Sequence, residues 1–298
     1  MQNIYVEVTL PKVRGSYIYD YHLGKHSFFK TGGNADVLLK PADIDDLTYF
    51  LKHKPHALPI NVIGNLSNTI VTDKGVRGIV IDSRGFQNIE FSNNTVKVYS
   101  GVQLSKFIRT CVERGVSCCE LLYMIPGTIG GALYMNAGVP EFEIKDVTQS
   151  IELIDITTGA VSQISADDMF YRNGNIPNGK IITSCVLKTR MENKENMELL
   201  LQKIRAERIS KQPIGARTCG CTFKNPSNNK AWKLIKDAGC AGMAVGDAEV
   251  STVHNNFIIN KGRATSSDIL ALIDNIKNRV YQKAGILLKE EIKIIGEL

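Results

Sequence analysis

Ile125-Pro-Gly-Thr-Ile-Gly-Gly-Ala-Leu-Tyr-Met-Asn-Ala-Gly138 is the stretch that decides the fold, and we call it the glycine segment. It contains four glycines, one proline and no charged residue in fourteen positions. Glycine allows positive φ and close approach of a ligand to bare amides, and proline fixes a bend. This composition predicts a buried loop. The loop either contacts a flat or anionic ligand such as a nucleotide cofactor, or packs two elements tightly on small residues.

The overall composition is that of an ordinary globular protein, with 43% hydrophobic and 22% charged residues among 298. This length allows two or three domains with their own cores. The net charge of +6 is modest, and no dense Lys/Arg run is interleaved with aromatic residues, so we expect no nucleic-acid partner. The first residues predict no secretory signal, and no apolar run approaches about 18 residues, so we expect no membrane span.

The cysteines and histidines do not form a recognisable metal-binding pattern. Seven cysteines are an odd number, which predicts reduced thiols in a cytoplasmic protein rather than disulfides. Cys219, Cys221, Cys240 and His254 have the spacing of no common zinc module, so no metal is predicted. Neither a G-x-G-x-x-G after a strand nor a P-loop is present, which disfavours both of those nucleotide sites.

Hydrophobic periodicity predicts an α+β protein. Strands are predicted at 58–63, 78–81, 95–99, 151–156 and 180–187, and helices at 43–53, 103–114, around 197–204, at 231–238 and at 265–285. The last helix carries a capping box, Thr265 to Asp268, and a terminating Gly285. The charged stretch 188–198 is the best candidate for a boundary between a strand-rich part and a more helical part.

Three further motifs place polar groups at turns, and each has two interpretations. Gly64-Asn-Leu-Ser-Asn68, the turn 64–68, is either a nest of amides for a pyrophosphate or an ordinary strand-ending turn. Tyr171 and Arg172 are either a functional pair or a surface arginine beside a packed tyrosine. The loop 218–226 brings thiols, a lysine and an amide close together. It is either part of a functional site or a plain connection before a helix.

In this order along the chain, the motifs resemble those of the UDP-N-acetylenolpyruvoylglucosamine reductases, flavoenzymes of peptidoglycan precursor synthesis. The resemblance covers about residues 21–296, and the glycine segment is its strongest match. The matching segments are Thr31-Gly-Gly-Asn-Ala35, the turn 64–68, residues 125–138, Tyr171-Arg172, Gln212-Pro213, residues 220–226, His254-Asn-Asn-Phe257 with Asn260, and residues 288–296.

The resemblance implies an FAD-binding fold of the vanillyl-alcohol-oxidase (PCMH) type followed by a C-terminal α+β substrate domain. The FAD-binding region would span 1–190, in two lobes of about 1–84 and 85–190. The substrate domain would span 191–298, with its last strand, about 288–298, returning to the active site. The implied activity is NADPH-dependent reduction of UDP-N-acetylglucosamine enolpyruvate to UDP-N-acetylmuramate through bound FAD. The expected partners are therefore small molecules, and we expect a monomer that binds neither nucleic acid nor membrane.

The resemblance also assigns residues to roles. Arg172, Cys221 and Glu291 would be catalytic, with Arg172 and Glu291 stabilising the enolate and Cys221 donating a proton. The expected substrate-binding residues are Tyr171, Lys224 and Asn225. The expected FAD-binding residues are Gly64, Asn65, Leu66, Ser67, Asn68, Pro126, Gly127, Thr128, Gly130, Gly131, Asn136, Ala137 and Gly138.

The chain departs from the family pattern at several positions. The family most often has serine at Cys221, and a thiol is the stronger acid of the two. The alternative is that Cys221 only packs and a bound water donates the proton. Leu66 stands where the family usually has glycine, and Gly174 where it usually has serine. Residues 139–143 are short, which is typical of the shorter subtype of the family.

Two other functions compete with this interpretation. Another flavin enzyme of the same fold, oxidising a sugar or a lactone, would share the glycine segment. It would not need Tyr171-Arg172, the loop 220–226 and Glu291 together. A non-catalytic nucleotide-binding protein of this fold would have no reason to retain Arg172, Cys221 and Glu291.

Overall fold

The computed structural model describes residues 9–298. Residues 1–8, which the sequence assigns to the FAD-binding region and to a start without a secretory signal, lie outside the described residues. Among the helices of residues 9–298, none combines the length and the apolar composition that a membrane span requires. The described residues form three lobes in chain order, each with helices and strands, so the predicted α+β class is confirmed.

The first lobe is built on a four-stranded sheet of order β1-β2-β5-β3, in which β2 and β3 run parallel to β5 and β1 is antiparallel to β2. Its apolar side chains form two cores around the sheet. Its elements are β1 (Ser16–Tyr21), α1 (Leu23–His26), β2 (Ala35–Lys40), α2 (Ile44–His53), β3 (Ile60–Ile63), β4 (Thr69–Val71) and β5 (Val76–Asp82).

The second lobe has an antiparallel five-stranded sheet of order β12-β11-β13-β7-β6. Helix α3 buries the five apolar residues that predicted it, Leu104, Phe107, Ile108, Cys111 and Val112. The elements are β6 (Ile89–Ser92), β7 (Thr95–Tyr99), α3 (Leu104–Glu113), β8 (Val116–Ser117), α4 (Ile129–Met135), β9 (Gly138–Val139), β10 (Phe142–Glu143), β11 (Thr148–Asp155), β12 (Val161–Ser165), β13 (Lys180–Lys188) and β14 (Arg190–Met191).

The third lobe packs two helices against a small antiparallel sheet of order β15-β16-β17. It contains α6 (Ala231–Asp237), β15 (Ala244–Val245), β16 (Ala248–Val250), β17 (Ile258–Asn260), α7 (Ser266–Ala284) and β18 (Lys293–Ile295), and α5 (Lys194–Lys211) precedes it. Helix α7 has the predicted capping box and ends at Gly285 in the left-handed conformation. Helix α5 buries Met197 and Leu201 in the core of the second lobe.

The prediction that the glycine segment is a loop is wrong for residues 129–135, which form α4. Thr128 supplies the N-cap by accepting a hydrogen bond from the backbone N–H of Gly131, and Asn136 ends the helix in the left-handed conformation. The run Ala-Leu-Tyr-Met between these caps favours helix enough to outweigh the two glycines of the first turn.

The contacts that connect the third lobe to the first include a strand pairing and a group of hydrogen bonds at the start of α7. Strand β18 pairs in parallel with β4, Ile294 lying opposite Ile70. Asp73 of the first lobe accepts hydrogen bonds from the backbone N–H groups of Ser266 (2.9 Å) and Ser267 (3.1 Å), in the first turn of α7. Partial burial opposes ionisation of Asp73, but these hydrogen bonds outweigh it and hold the pKa of that carboxyl below its usual range.

We expect Asp73→Ala to lower the free energy of unfolding by about 1 kcal/mol at pH 7, because two helix N–H groups lose their acceptor. A depressed folded-state pKa stabilises the protein above the ordinary pKa of about 4, and this contribution is lost as pH falls through the folded-state pKa. The difference between the variant and the wild type in urea denaturation should therefore shrink in acid. Asp274→Ala, on the exposed face of α7, is the control. Equal urea midpoints for Asp73→Ala and the wild type at pH 7 would contradict this role.

Candidate active site

A cavity of about 1550 Å³ lies where the three lobes meet. Single-ligand pockets are commonly about 300–1,000 Å³, so this cavity has room for more than one ligand of that size. The turn 64–68, the glycine segment, the loop 218–226 and the approach to β18 all contribute to its wall. Tyr171, Arg172, Cys221 and Glu291, which are far apart in sequence, all line it.

The glycine segment and the turn 64–68 pack directly against each other at the cavity wall. A Cβ on Gly64 would lie 2.7 Å from Thr128 Oγ1, and one on Gly130 would lie 2.8 Å from the Cβ of Ser100. Ser67 Oγ also donates a hydrogen bond to the carbonyl of Pro126 at 2.9 Å. Tight packing therefore explains why Gly64 and Gly130 are glycines. The same residues also line the cavity, so tight packing is compatible with a contact to a cofactor, which stays a prediction.

Leu66 keeps the conformation that glycine would supply at this turn. Its φ is 52°, in the left-handed region that is uncommon for residues other than glycine. Its side chain is buried in the core of the first lobe. Burial of the side chain holds the turn in this conformation without a glycine.

The cavity wall fits a bound FAD in its polar groups as well as in its size. Ser100 Oγ is buried in the wall and has no hydrogen-bond partner among the described residues. A buried hydroxyl without a partner is costly, so a ligand group at this point would satisfy it. Of the thirteen residues expected to bind FAD, all but Asn136 line the cavity. Asn136 lies behind the wall, fully buried.

Arg172 is at the tip of a tight turn that projects it into the cavity. Phe170 and Asn173 close the turn with two backbone hydrogen bonds of 2.8 and 3.0 Å. Arg172 has a φ of 51°, a strained conformation of the kind found at functional sites. Its Nη2 donates to the carbonyl of Gly138 at 2.7 Å, and its guanidinium lies over the ring of Tyr171 at 5.0 Å. The arginine is therefore held in place rather than free at the surface.

Cys221 belongs to a loop held between two other segments. Asn256 accepts a hydrogen bond from Phe223 N at 3.0 Å through Oδ1 and donates one to Phe223 O at 2.8 Å through Nδ2. On the other side, Glu291 N donates to Thr222 O at 2.8 Å. Burial, reinforced by the negative charge of Glu291, raises the pKa of the Cys221 thiol to about 12. The thiol therefore carries its proton at neutral pH.

Glu291 pairs with Arg172 and acts on the Cys221 thiol through its charge. Its Oε1 lies 3.3 Å from Arg172 Nε, and its side chain is mostly buried. Burial raises the pKa of Glu291, while Arg172 and Lys224 oppose the shift. Its neighbour Glu290 instead makes an ion pair with Lys277 of α7, 2.7 Å between Nζ and Oε1, away from this group. The three residues expected to be catalytic thus meet in one place.

The expected substrate-binding residues have different surroundings. Tyr171 is half-exposed in the cavity wall. Lys224 Nζ donates to the backbone carbonyl of Arg172 at 3.1 Å, and Asn225 Oδ1 accepts from Ala231 N at 2.9 Å at the start of α6. Asn225 lines the cavity, whereas Lys224 is not among the lining residues and reaches the site through its contact with Arg172.

Several charged residues that the sequence did not single out also line the cavity, among them Glu143, Arg208 and Lys293. Arg208 lies one turn before the matched Gln212-Pro213, and Lys293 is inside the matched segment 288–296, so either could have been found there. Glu143 follows the glycine segment without a motif of its own. Among residues 9–298, no three His, Cys, Asp or Glu side chains form a group suited to a metal ion.

Comparison with known proteins agrees with this geometry. Residues 35–165 match a family model described as an FAD binding domain, and residues 212–295 match the C-terminal domain of UDP-N-acetylenolpyruvoylglucosamine reductase. The reductases of that name from Rickettsia akari and Wolbachia pipientis wMel are 41% and 40% identical to this chain, across 97% of it and 98% and 99% of those proteins.

A solved structure agrees over the same extent. The crystal structure of UDP-N-acetylenolpyruvylglucosamine reductase from Thermus caldophilus superposes with a TM-score of 0.81 at 30% identity. The match covers 96% of this chain and all of that one.

Proposed function

Because the chain belongs to the UDP-N-acetylenolpyruvoylglucosamine reductase family, we propose that the cavity between its lobes is the site where it reduces UDP-N-acetylglucosamine enolpyruvate. The chain is an FAD-dependent UDP-N-acetylmuramate dehydrogenase of peptidoglycan precursor synthesis that uses NADPH. The observation that carries the assignment of the site is the meeting of Arg172 and Glu291, 3.3 Å apart, beside the Cys221 thiol.

The cofactor would be held along the packed pair formed by the turn 64–68 and the glycine segment, with Ser100 Oγ available to it. Bound FAD supplies the hydride for the enolpyruvyl double bond after reduction by NADPH. The packing of Gly64 against Thr128 and of Ser67 against Pro126 fixes the spacing of the two wall segments before the cofactor binds. The site is therefore pre-formed.

Arg172 would stabilise the negative charge that develops on the substrate carboxylate. Its guanidinium is fixed by the carbonyl of Gly138 and by Glu291, so little reorganisation is needed when the charge appears. Lys224 fixes the same residue through its backbone carbonyl. The three contacts come from two lobes, Gly138 belonging to the second and Lys224 and Glu291 to the third.

Cys221 would deliver a proton to the second carbon of the enolpyruvyl group. A pKa of about 12 keeps the thiol protonated throughout the neutral range, as a proton donor requires. The alternative donor is a bound water, with Cys221 only packing. Glu291, whose pKa burial raises, would either donate a hydrogen bond in its protonated form or hold Arg172 in its ionised form.

Four further statements are predictions. Because α5 packs on the core of the second lobe, we place the start of the substrate domain near residue 212 rather than at 191. Tyr171, Lys224 and Asn225 are proposed to bind substrate. A monomeric state and a cytoplasmic location are expected. Family membership across nearly the whole chain favours this function over sugar oxidation and over cofactor binding without catalysis.

The purified wild-type protein provides the direct test of function. We expect a yellow protein that releases about one FAD per chain on denaturation. NADPH should bleach it in the absence of oxygen, and UDP-N-acetylglucosamine enolpyruvate should restore the colour. A protein that binds no FAD, or one whose reduced form is not reoxidised by this substrate, would contradict the proposal.

A further inference from the structure

We propose that Glu143 is a positioning residue of this reaction, holding the Arg172 guanidinium from the side opposite Glu291. The inference rests on the proposed function, because it needs Arg172 to act on the substrate. Glu143 is at the end of β10, next to the glycine segment. No sequence motif marks it.

The guanidinium of Arg172 contacts several partners. Nε lies 3.3 Å from Glu291 Oε1, and Nη1 lies 3.6 Å from Glu143 Oε1. The carbonyl of Gly138 accepts from Nη2 at 2.7 Å, and the carbonyl of Asn136 accepts from Nη1 at 3.4 Å. Two carboxylates from different lobes therefore share one cation. Among residues 9–298, removal of one of them leaves the other as the sole ionic partner of Arg172.

Glu143 is held in place by hydrogen bonds of its own, so it can position Arg172. Asn136 Nδ2 donates to Glu143 Oε2 at 2.9 Å and also to the carbonyl of Phe170 at 2.9 Å, which ties the carboxylate to the turn that carries Arg172. The backbone N–H of Asp146 caps the same carboxylate in a reciprocal capping box. Lys145 Nζ lies 3.5 Å from Glu143 Oε2.

Gly138 leaves the room in which this contact forms. A Cβ there would lie 2.7 Å from Glu143 Cγ and 2.9 Å from Arg172 Nη1. The end of the glycine segment thus helps to position Arg172. Asn136 orients Glu143, and Gly138 leaves room for the side chains of Glu143 and Arg172 to meet. This is a use of Asn136 and Gly138 separate from cofactor contact.

The consequence is chemical as well as geometric. The described charged groups that act on Glu291 are Arg172 and Lys224, and the Cys221 thiol lies beside it. The negative charge of Glu143 offsets part of the positive charge of Arg172, so Arg172 stabilises the ionised form of Glu291 less. Without Glu143, Arg172 would be drawn toward Glu291, away from its working position, and would favour the ionised form of that carboxylate.

The test uses Glu143→Gln and Glu143→Ala in the FAD-loaded enzyme, with the two half-reactions measured separately. We expect FAD content and reduction by NADPH within about twofold of wild type, and reoxidation by the enolpyruvyl substrate about 10- to 100-fold slower in both variants. Gln keeps the shape of Glu and can still accept from Asn136, so near-wild-type reoxidation by Glu143→Gln would overturn the proposal. Loss of Glu143 favours the ionised form of Glu291, so the pH profile of reoxidation should shift to lower pH in Glu143→Gln. An unshifted profile would count against the proposal.

A matched control separates positioning from turn stability. Asp146→Ala removes the other half of the capping box without touching Arg172, and we expect near-wild-type reoxidation. A loss equal to that of Glu143→Ala would assign Glu143 a structural role only. The double variant Glu143→Gln/Arg172→Ala should be no slower than Arg172→Ala, and additive losses would overturn the proposal. If Arg172→Ala alone reoxidises normally, the proposed function of Arg172 fails instead.

Discussion

Replacing Cys221 with alanine is expected to slow product formation by about 100- to 10,000-fold and to leave reduction of the flavin by NADPH unchanged. The thiol is our proposed proton donor beside Glu291 and Arg172, and general-acid catalysis commonly contributes a factor of this size. Only the second half-reaction needs the donor. Stopped-flow measurement of flavin reduction and reoxidation separates the two steps.

Cys221→Ser tests whether an acidic proton at this position is sufficient. A hydroxyl is smaller and less acidic than a thiol but still donates, so we expect turnover within about tenfold of wild type. Cys240→Ala, a buried thiol in the core of the third lobe, is the control and should keep both half-reactions. Normal turnover by Cys221→Ala would mean that a bound water donates the proton.

The second large effect is expected for Arg172→Lys, which keeps the charge and loses the planar fork. Lysine cannot reach Gly138 O, Glu143 and Glu291 at the same time, so its ammonium would not be fixed where the enolate forms. Removal of one pre-organised donor to a developing oxyanion typically costs about 100- to 1,000-fold in kcat. We expect a loss of this size in reoxidation, with KM for the substrate changing much less.

Arg205→Lys, on the exposed face of α5, is the matched control and should behave as wild type. Because Arg172→Lys preserves net charge, its result separates charge from geometry. A reoxidation rate close to that of the wild type would show that a positive charge alone is sufficient. The fixed contacts described for the guanidinium would then have no catalytic role.

Local signals in the sequence were enough for much of the fold. Strand β7 was predicted at its observed bounds, 95–99, and α7 was predicted with both its capping box and its terminal glycine. Both elements depend on short-range terms: alternation in the strand, and caps at the two ends of the helix. The family motifs likewise brought Arg172, Cys221 and Glu291 forward as candidates.

The sequence could not reveal the contacts between distant segments. Its four glycines made the glycine segment look like a loop, whereas caps at both ends convert residues 129–135 into a helix. Glu143 carries no motif, because its role depends on Asn136, Phe170 and Arg172 meeting in space. The partner of Lys224, a backbone carbonyl, is equally invisible in a pattern of side chains.

The pairing of β18 with β4 has a consequence for the order in which activity arises during synthesis. Asn68 Nδ2 donates to the backbone carbonyl of Glu291 at 3.2 Å, across 223 residues of chain, and β18 follows directly. Such a distant contact closes late, because its large loop entropy must first be offset by local structure. A ribosome-bound chain that has already completed its first two lobes therefore lacks Glu291 at the site. We expect the nascent protein to be inactive until synthesis has passed residue 295 and β18 has paired with β4.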